Sequence, residues 1–290
     1  MNAVISCTIT AQGEGALKNR IALLFALIVA APLFANAQWA IYHDPTIPRM
    51  KDGKPNLAAP APRLNGRPDL SGIWIPESGS VAEIGQFLLP GGINGFGEDL
   101  PTKYFFSVFF DYPFGQEPMR PEVRAQLEKG PRPTGPPTFC PIPTIPLQGL
   151  VPEVFKIVQT PRLTLVLYEA ETVFRQIFSD GRALPVDPTP SWLGYSVGKW
   201  MGDAFVVETM GFNDKGPLDA MGHPHSEALR LTETFRRRDF GHMDVQVTID
   251  DPKTYTKPVT ILVKHRLVPD TELLEYFCHE NEQDEAHSPK

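Results

Sequence analysis

The second half of the chain is a succession of short apolar segments separated by turn residues, and this pattern constrains the fold more than any other feature. The segments are rich in β-branched and aromatic residues, which favour strands. Turn signals such as Ser179-Asp180-Gly181 and Met201-Gly202-Asp203 separate them at hairpin spacing. The pattern predicts nine strands, which are Phe155–Gln159, Leu163–Glu169, Thr172–Phe178, Tyr195–Met201, Ala204–Thr209, Leu229–Arg236, Met243–Asp250, Val259–Leu267 and Glu272–Cys278.

Strands without intervening helices favour a mainly β fold, and a closed barrel leaves no strand edge exposed. We therefore expect an antiparallel, lipocalin-like barrel, with a two-sheet β-sandwich as the alternative. Pro68–Ile75 reads as a turn that leads into an earlier strand. One helix is predicted at Arg120–Lys129, with Pro121 in its first turn.

A proline-rich segment interrupts the chain before the β pattern begins. Residues 113–152 contain eleven prolines, too many for regular helix or central strand. We interpret this segment as an arm that wraps around the barrel. The predicted organisation is a signal peptide with an N-terminal extension at 1–37, an extended arm at 38–70, one barrel domain at 71–285 that includes the arm at 113–152, and a tail at 286–290.

The N-terminus predicts export to the periplasm or the exterior. Lys18 and Arg20 precede an apolar run from Ile21 to Phe34, which is short for a membrane span. Ala35-Asn36-Ala37 then forms a small-x-small cleavage site, so the mature chain would begin at Gln38. The alternative is an uncleaved anchor.

The charge balance argues against two classes of partner. The whole chain has a net charge of −7, and removal of residues 1–37 leaves 33 acidic and 25 basic residues, a net charge of −8. Nucleic acids and anionic membranes bind clustered lysine and arginine, and no basic face dominates this sequence. A small molecule is the more plausible partner, and no membrane span is expected in the mature chain. The sequence leaves the oligomeric state open.

Two cysteines, Cys140 and Cys278, remain after removal of the signal. An even pair in an oxidising compartment predicts a disulfide, and two buried thiols are the alternative. A bridge would close a long loop and contribute about 4–5 kcal/mol in the chain-entropy description.

Four sequence blocks carry a resemblance at the level of a family. They are Phe155–Pro161, Phe174–Phe178 with Asp180-Gly181-Arg182, Asp219–Glu227, and Thr248–Lys253. On these blocks the chain, over roughly residues 65–285, resembles a family of exported, largely uncharacterised bacterial proteins. The strand plan is also similar to that of lipocalin-like (calycin) barrels. This likeness concerns architecture, and architecture alone does not imply a reaction.

Alternation along the strands places polar residues on apolar faces. Glu233 shares a face with Leu231 and Phe235, so it is either paired, with Arg175 as the obvious partner, or neutral and available for proton transfer. His265 shares a face with Val263 and is either a satisfied core residue or a functional one. Arg175, Tyr195 and His265 are the candidate ligand-binding residues.

The strongest functional signal is the run His223-Pro224-His225. Histidine paired with a carboxylate performs acid–base catalysis, and Asp219, Glu227 or Glu233 could supply the carboxylate. A metal site that uses both histidines and one of these carboxylates is an alternative, and a purely structural turn is another. No Gly-x-Ser-x-Gly elbow, Gly-rich phosphate loop or GxGxxG motif is present, and no cofactor is expected.

These features give a ranked set of functions. The first is an exported enzyme, a lyase, isomerase or hydrolase, that acts on a small, largely apolar molecule with His223, His225, Asp219, Glu227 and Glu233 as candidate catalytic residues. The second is a lipocalin-like binding protein without catalysis, and the third is a metal-dependent enzyme that uses the two histidines. We expect the histidines and at least one carboxylate to meet at the mouth of the main cavity.

Overall fold

The computed structural model describes residues 43–84, 101–129 and 143–277, and those from Asp44 onward belong to one compact unit. The predicted signal peptide, Cys140 and Cys278 lie outside the described residues, so the disulfide stays a prediction. No helix in the described ranges is long and apolar enough to span a bilayer. The strands are β1 Arg63–Leu64, β2 Arg67–Pro68, β3 Gly72–Pro76, β4 Phe155–Gln159, β5 Leu163–Tyr168, β6 Phe174–Phe178, β7 Tyr195–Met201, β8 Ala204–Met210, β9 Arg230–Arg237, β10 His242–Asp250 and β11 Val259–Leu267, and the helices are α1 Val81–Ile84, α2 Lys103–Phe106 and α3 Pro121–Lys129.

Nine strands close into a barrel, which confirms the predicted fold class and excludes the two-sheet sandwich. Their order around the barrel is β10-β11-β3-β4-β5-β6-β7-β8-β9, and β9 pairs with β10 to complete it. The neighbouring strands are antiparallel except β6 and β7, which run parallel through the pairs Ile177–Ser196 and Phe178–Val197. β1 and β2 form a separate small hairpin.

The ninth strand is not the one that the sequence pattern predicts. Glu272–Cys278 was the expected last strand, but residues 272–277 make only an isolated bridge between Tyr276 and Ala170. β3 takes the place between β11 and β4, and its Trp74 is fully buried. Leu274 is 41% exposed, so this apolar segment gains little by joining a sheet.

The period-2 pattern sets which side chains fill the barrel. Leu231, Glu233 and Phe235 of β9 point inward, as predicted, and so do Val245 and Val247 of β10. In this register Val247 lies opposite Glu233, and Val245 lies opposite Phe235. On the side of β10, Glu233 is therefore flanked by apolar side chains.

Two segments outside the barrel matter for the sites described below. The aromatic cluster of residues 104–110 is buried, apart from the half-buried Phe110, as the sequence required. The last described part of the proline-rich segment, Thr144–Val151, is also buried except for Gly149 and is here called the plug. It contains a single 3₁₀ turn, Leu147–Gly149. Helix α3 confirms the predicted helix to within one residue.

Candidate functional site

The histidines lie on the connection between β8 and β9, residues 211–229, here called the histidine loop. The backbone carbonyls of Phe105 and Phe106 accept hydrogen bonds from the amides of Ala220 and Met221, at 2.9 and 3.1 Å. Gly222 has a φ of +80°, a conformation that glycine adopts at little cost. The aromatic cluster therefore holds the loop by its backbone and not only by packing.

Asp219 is the centre of the loop and is fully buried. Its Oδ2 accepts the amide of Val108 at 2.8 Å, and its Oδ1 accepts the amides of Met221 and His223 at 3.1 and 3.3 Å. All three partners are donors, so the carboxylate acts only as an acceptor. A buried carboxylate in this setting has a fixed position and a fixed role.

The side chain of His223 is the fourth hydrogen-bond partner of the Asp219 carboxylate. Its Nδ1 lies 2.6 Å from Oδ2 of Asp219, and an acceptor at this position requires that Nδ1 carries the proton. Nε2 then presents a lone pair. It has no hydrogen-bond partner within the described part of the chain, and 7% of the side chain is accessible. The ring also contacts the edge of Phe109, with centroids 4.8 Å apart.

His225 has the same tautomer but a different partner. Its Nδ1 is 3.2 Å from the carbonyl of Ser226, which can only accept, so Nε2 again presents a lone pair. Burial lowers the pKa of His225, and attraction from Asp251 and Asp214 only partly offsets that effect. The ring lies near Phe212, with centroids 5.9 Å apart. The imidazole is thus held neutral.

Asp251 and Tyr255, which the sequence analysis did not single out, fix the chain on either side of His225. Asp251 accepts the amide and the hydroxyl of Ser226 at 2.6 and 2.8 Å and the hydroxyl of Thr254 at 2.7 Å. Burial alone would raise the pKa of Asp251, but these hydrogen bonds outweigh it and lower the pKa. The Tyr255 hydroxyl donates to the carbonyl of Pro224 at 2.6 Å. Asp251 lies in the block Thr248–Lys253, and the sequence of that block does not reveal a contact with Ser226, 25 positions away.

A second polar cluster lies inside the barrel. Arg175 and Glu233 form a bidentate ion pair, with Arg175 Nη1 3.1 Å from Oε1 and Nη2 bonded to Oε2. Arg175 also donates to the hydroxyls of Ser196 and Thr209 at 3.0 and 2.7 Å. Burial would lower the pKa of Arg175, but Glu233 outweighs it and raises the pKa. The predicted pairing of Arg175 with Glu233 is confirmed, and these two groups satisfy each other.

A cavity of about 30 Å³ lies next to this pair. His265, Tyr168 and Glu233 are its polar lining residues, and burial raises the pKa of Tyr168 to about 12. Burial also lowers the pKa of His265 to about 4, although the carbonyls of Gly149 and Val263 act in the opposite direction. The remaining walls are apolar and come from the plug and from β4, β5, β9, β10 and β11; they are Ile145, Pro146, Gly149, Leu150, Phe155, Val166, Phe235, Val245, Val247 and Val263.

The structure divides the predicted site residues between two places. Asp219, His223 and His225 are together in the histidine loop, while Arg175, Glu233 and His265 are in the barrel. Neither loop histidine lines the cavity, so the expected meeting at its mouth is not found. Glu233 follows the loop closely in sequence, but the turn at Ser226–Leu229 directs β9, which carries Glu233, into the barrel.

Two predicted site residues belong to neither cluster of side chains. Glu227 is exposed and makes no hydrogen bond to either histidine, because the neighbouring Ser226 is turned toward Asp251. Tyr195 lies on the outer face of β7, since Ser196 takes the inward position beside Arg175. There it stacks on Phe178 and accepts a hydrogen bond from Arg182 at 3.0 Å. Neither residue hydrogen-bonds to the loop histidines or lines the cavity.

Among the described residues, no third side chain joins the two histidines to form a metal site. Within residues 43–84, 101–129 and 143–277, no group of three histidine, cysteine, aspartate or glutamate side chains is arranged to hold an ion. The carboxylate nearest to the histidines, Asp219, is already saturated by donors.

The described surface carries a second aspartate–histidine pair that provides an internal comparison. His242 Nδ1 lies 2.7 Å from Asp239 Oδ1, nearly the distance found for His223 and Asp219. However, both side chains are about one-third exposed, at 32% and 30%. Burial therefore distinguishes the loop pair from the surface pair.

Comparison with known protein families, with curated proteins and with solved structures finds no match for this chain.

Proposed function

We propose that this protein is an exported enzyme that acts on a small, largely apolar molecule by acid–base chemistry, with His223 as the proton-transfer group. The observation that carries the proposal is the buried Asp219–His223 pair, joined at 2.6 Å, whose outer nitrogen has no partner in the described chain. Export is proposed from the pattern of residues 18–37 alone. The resemblance to exported bacterial proteins agrees with it.

The pair has the features of a general base. Asp219 fixes the tautomer and the orientation of the ring, and its negative charge stabilises the imidazolium that forms when Nε2 accepts a proton. Nε2 would take the proton from a carbon acid or from an attacking water molecule and return it to the product. No serine, threonine or cysteine in the described ranges hydrogen-bonds to His223, which favours direct proton transfer over a covalent intermediate.

The neighbouring groups suit a substrate of low polarity. Phe109 and Tyr255 are buried. The ring of Phe109 contacts the ring of His223, with centroids 4.8 Å apart, and the ring of Tyr255 contacts that of Phe109, with centroids 4.9 Å apart. An apolar surrounding strengthens the interaction between Asp219 and the imidazolium. His225, kept neutral by burial, is the second candidate for proton transfer or for a hydrogen bond to the substrate.

A binding protein without catalysis is the second candidate, because the barrel has an apolar interior with a few polar groups. A cavity of about 30 Å³ argues against it as the principal function. Pockets for drug-sized ligands are about 300 Å³ or more, and the plug occupies the space that such a ligand would need. The metal-dependent alternative rests on the two free Nε2 atoms alone.

The experiment compares two matched variants. His223→Gln removes the buried base, and His242→Gln removes the histidine of the surface pair, which has nearly the same geometry. Both are assayed on a panel of small apolar p-nitrophenyl esters by colour release, and on small ketones by deuterium exchange in D₂O. We expect at least one substrate to react, with turnover about 10²–10⁴-fold lower in His223→Gln and unchanged in His242→Gln.

Two controls separate this outcome from the alternatives. Circular dichroism of each variant shows whether it is folded, and EDTA should leave wild-type turnover unchanged. Equal turnover in the two variants would exclude His223 as the base. Loss of turnover with EDTA would favour the metal-dependent enzyme instead.

A further inference from the structure

We propose that the barrel cavity below the plug is a second binding site, specific for a small neutral molecule that carries a hydroxyl group, with Nδ1 of His265 as its hydrogen-bond partner. This site is separate from the histidine loop and does not depend on the reaction proposed above.

The first observation is an unsatisfied nitrogen. His265 is 2% exposed, lines the cavity, and its buried Nδ1 has no hydrogen-bond partner among the described residues. A buried polar atom without a partner lowers stability, so native structures rarely keep one. A ligand that hydrogen-bonds to Nδ1 removes that cost.

The second observation concerns the plug directly above the cavity. Gln148 lies between the lining residues Pro146 and Gly149, is 1% exposed, and has neither its Oε1 nor its Nε2 paired. Two unsatisfied polar side chains therefore belong to the elements that enclose the cavity, His265 to β11 and Gln148 to the plug. The other described parts of the barrel interior, such as the Arg175 cluster, satisfy their own polar groups.

The third observation is that the polar residues that line the cavity in the described chain are either neutral or paired with an opposite charge. Glu233 is paired with Arg175, Tyr168 remains protonated because burial raises its pKa to about 12, and burial keeps His265 neutral. A charged ligand would lose its hydration without gaining a counter-ion, which disfavours its binding. The wall therefore selects a neutral molecule.

The volume limits the size of the occupant. A cavity of about 30 Å³ holds about two water-sized groups, so the ligand has about two or three heavy atoms unless the plug moves. The apolar lining favours a carbon at one end, and Nδ1 favours a hydroxyl at the other. Short alcohols combine both properties. For so small a ligand we expect a dissociation constant in the millimolar range.

The test uses full-length protein labelled with ¹⁵N at histidine, and the probe is ethanol. The Nδ1 resonance of His265, assigned by its loss in His265→Leu, should shift in a saturable way as ethanol is added, with a millimolar midpoint. The resonances of His225 and His242 in the same spectra report the general solvent effect and should change only linearly. Sodium acetate, of similar size but charged, should produce no saturable shift.

A second measurement does not depend on the stability of His265→Leu. Ethanol binding to wild-type protein and to His223→Gln should give the same midpoint, because the loop plays no part in this site. A linear response of Nδ1 up to 1 M ethanol, or saturation by acetate as well, would overturn the proposal. A Nδ1 resonance already shifted by a tightly held water, and insensitive to ethanol, would also overturn it.

Discussion

The histidine loop and the barrel interior each bury a carboxylate that is hydrogen-bonded to a basic side chain. The two regions differ in whether that basic side chain keeps a nitrogen without a hydrogen-bond partner. In the barrel, Arg175 and Glu233 bond to each other through two nitrogen–oxygen pairs, and Arg175 donates further hydrogen bonds to Ser196 and Thr209. In the loop, Asp219 is saturated, but His223 keeps Nε2 without a partner in the described chain.

This difference separates a structural cluster from a candidate active site. A buried pair that satisfies itself contributes to the specificity of packing and has no free group for chemistry. A histidine that is oriented on one side and open on the other is the arrangement that acid–base catalysis requires. Burial and charge alone would not distinguish the two clusters, whereas a count of hydrogen-bond partners does.

The largest expected effect comes from removal of half of the barrel pair. Glu233→Leu leaves the guanidinium of Arg175 buried without a counter-ion, and we expect the free energy of unfolding to fall by about 3–5 kcal/mol. Urea denaturation followed by circular dichroism measures this change.

The matched control for this effect is Arg63→Met, which breaks the exposed pair between Arg63 and Asp203 and should change the stability little, because solvent screens that pair. The double variant with Arg175→Met and Glu233→Leu should recover most of the lost stability, since no charge is then left unpaired. Equal losses in Glu233→Leu and Arg63→Met would mean that the barrel pair is not desolvated.

The second expected effect is a dependence of stability on pH that originates at His265. Its pKa in the folded protein is about 4, below the value of 6.5 for an unperturbed histidine. The unfolded chain therefore binds the proton first as the pH falls. The free energy of unfolding should decrease between pH 6.5 and 4, by on the order of 3 kcal/mol, and this contribution should be constant below pH 4.

Comparison with His265→Leu isolates this contribution. His225, whose pKa is also lowered by burial, acts in the same direction in both proteins and cancels in the difference. The difference in urea midpoints between wild type and variant should therefore change with pH between 6.5 and 4 and be constant above pH 7. A difference independent of pH would show that His265 is accessible to water.

The barrel was predictable because its evidence is local. Alternation in segments such as Val259–Leu267 determined both the strand and its inward face, and the same alternation placed Glu233 and Arg175 inside. Strand β3, anticipated by the turn at Pro68–Ile75, is short and buried on both faces, so its sequence shows no alternation that would indicate its place in the barrel. The exposed segment around Leu274 has apolar residues but no partner strand, and composition alone could not reveal that.

The site was predictable only in part, because its decisive contacts span long separations in sequence. Asp219 and His223 are four residues apart, and their pairing follows from a tight turn. Tyr255 and Asp251 reach the loop from the connection after β10, and Val108 reaches Asp219 from 111 residues away. Glu227 was an equally reasonable orienting carboxylate in sequence, and only the turn at Ser226 directs it to solvent.

The smallest expected change in stability comes from Tyr255→Phe, a substitution that tests how the histidine loop is held. The Tyr255 hydroxyl donates to the carbonyl of Pro224, the residue between the two histidines, while its ring packs against Phe109, which in turn contacts His223. Phenylalanine keeps the ring contact and removes only the hydrogen bond. The loss of stability should therefore be about 1 kcal/mol, as for one hydrogen bond to a neutral acceptor.

The effect on the loop should exceed this small change in stability. Without the bond to Pro224, the segment between the two histidines loses one of the contacts that fix it, and a small displacement of a proton-transfer group can lower turnover substantially. We expect kcat to fall about tenfold or more with little change in KM, because the hydroxyl positions the base and does not touch the substrate. Thr248→Val provides the control, since it removes one side-chain hydrogen bond on the barrel exterior, 2.9 Å to Thr260, and should leave kcat unchanged. If both variants lose stability to a similar extent and only Tyr255→Phe loses turnover, the loop is the part of the molecule whose geometry matters for chemistry.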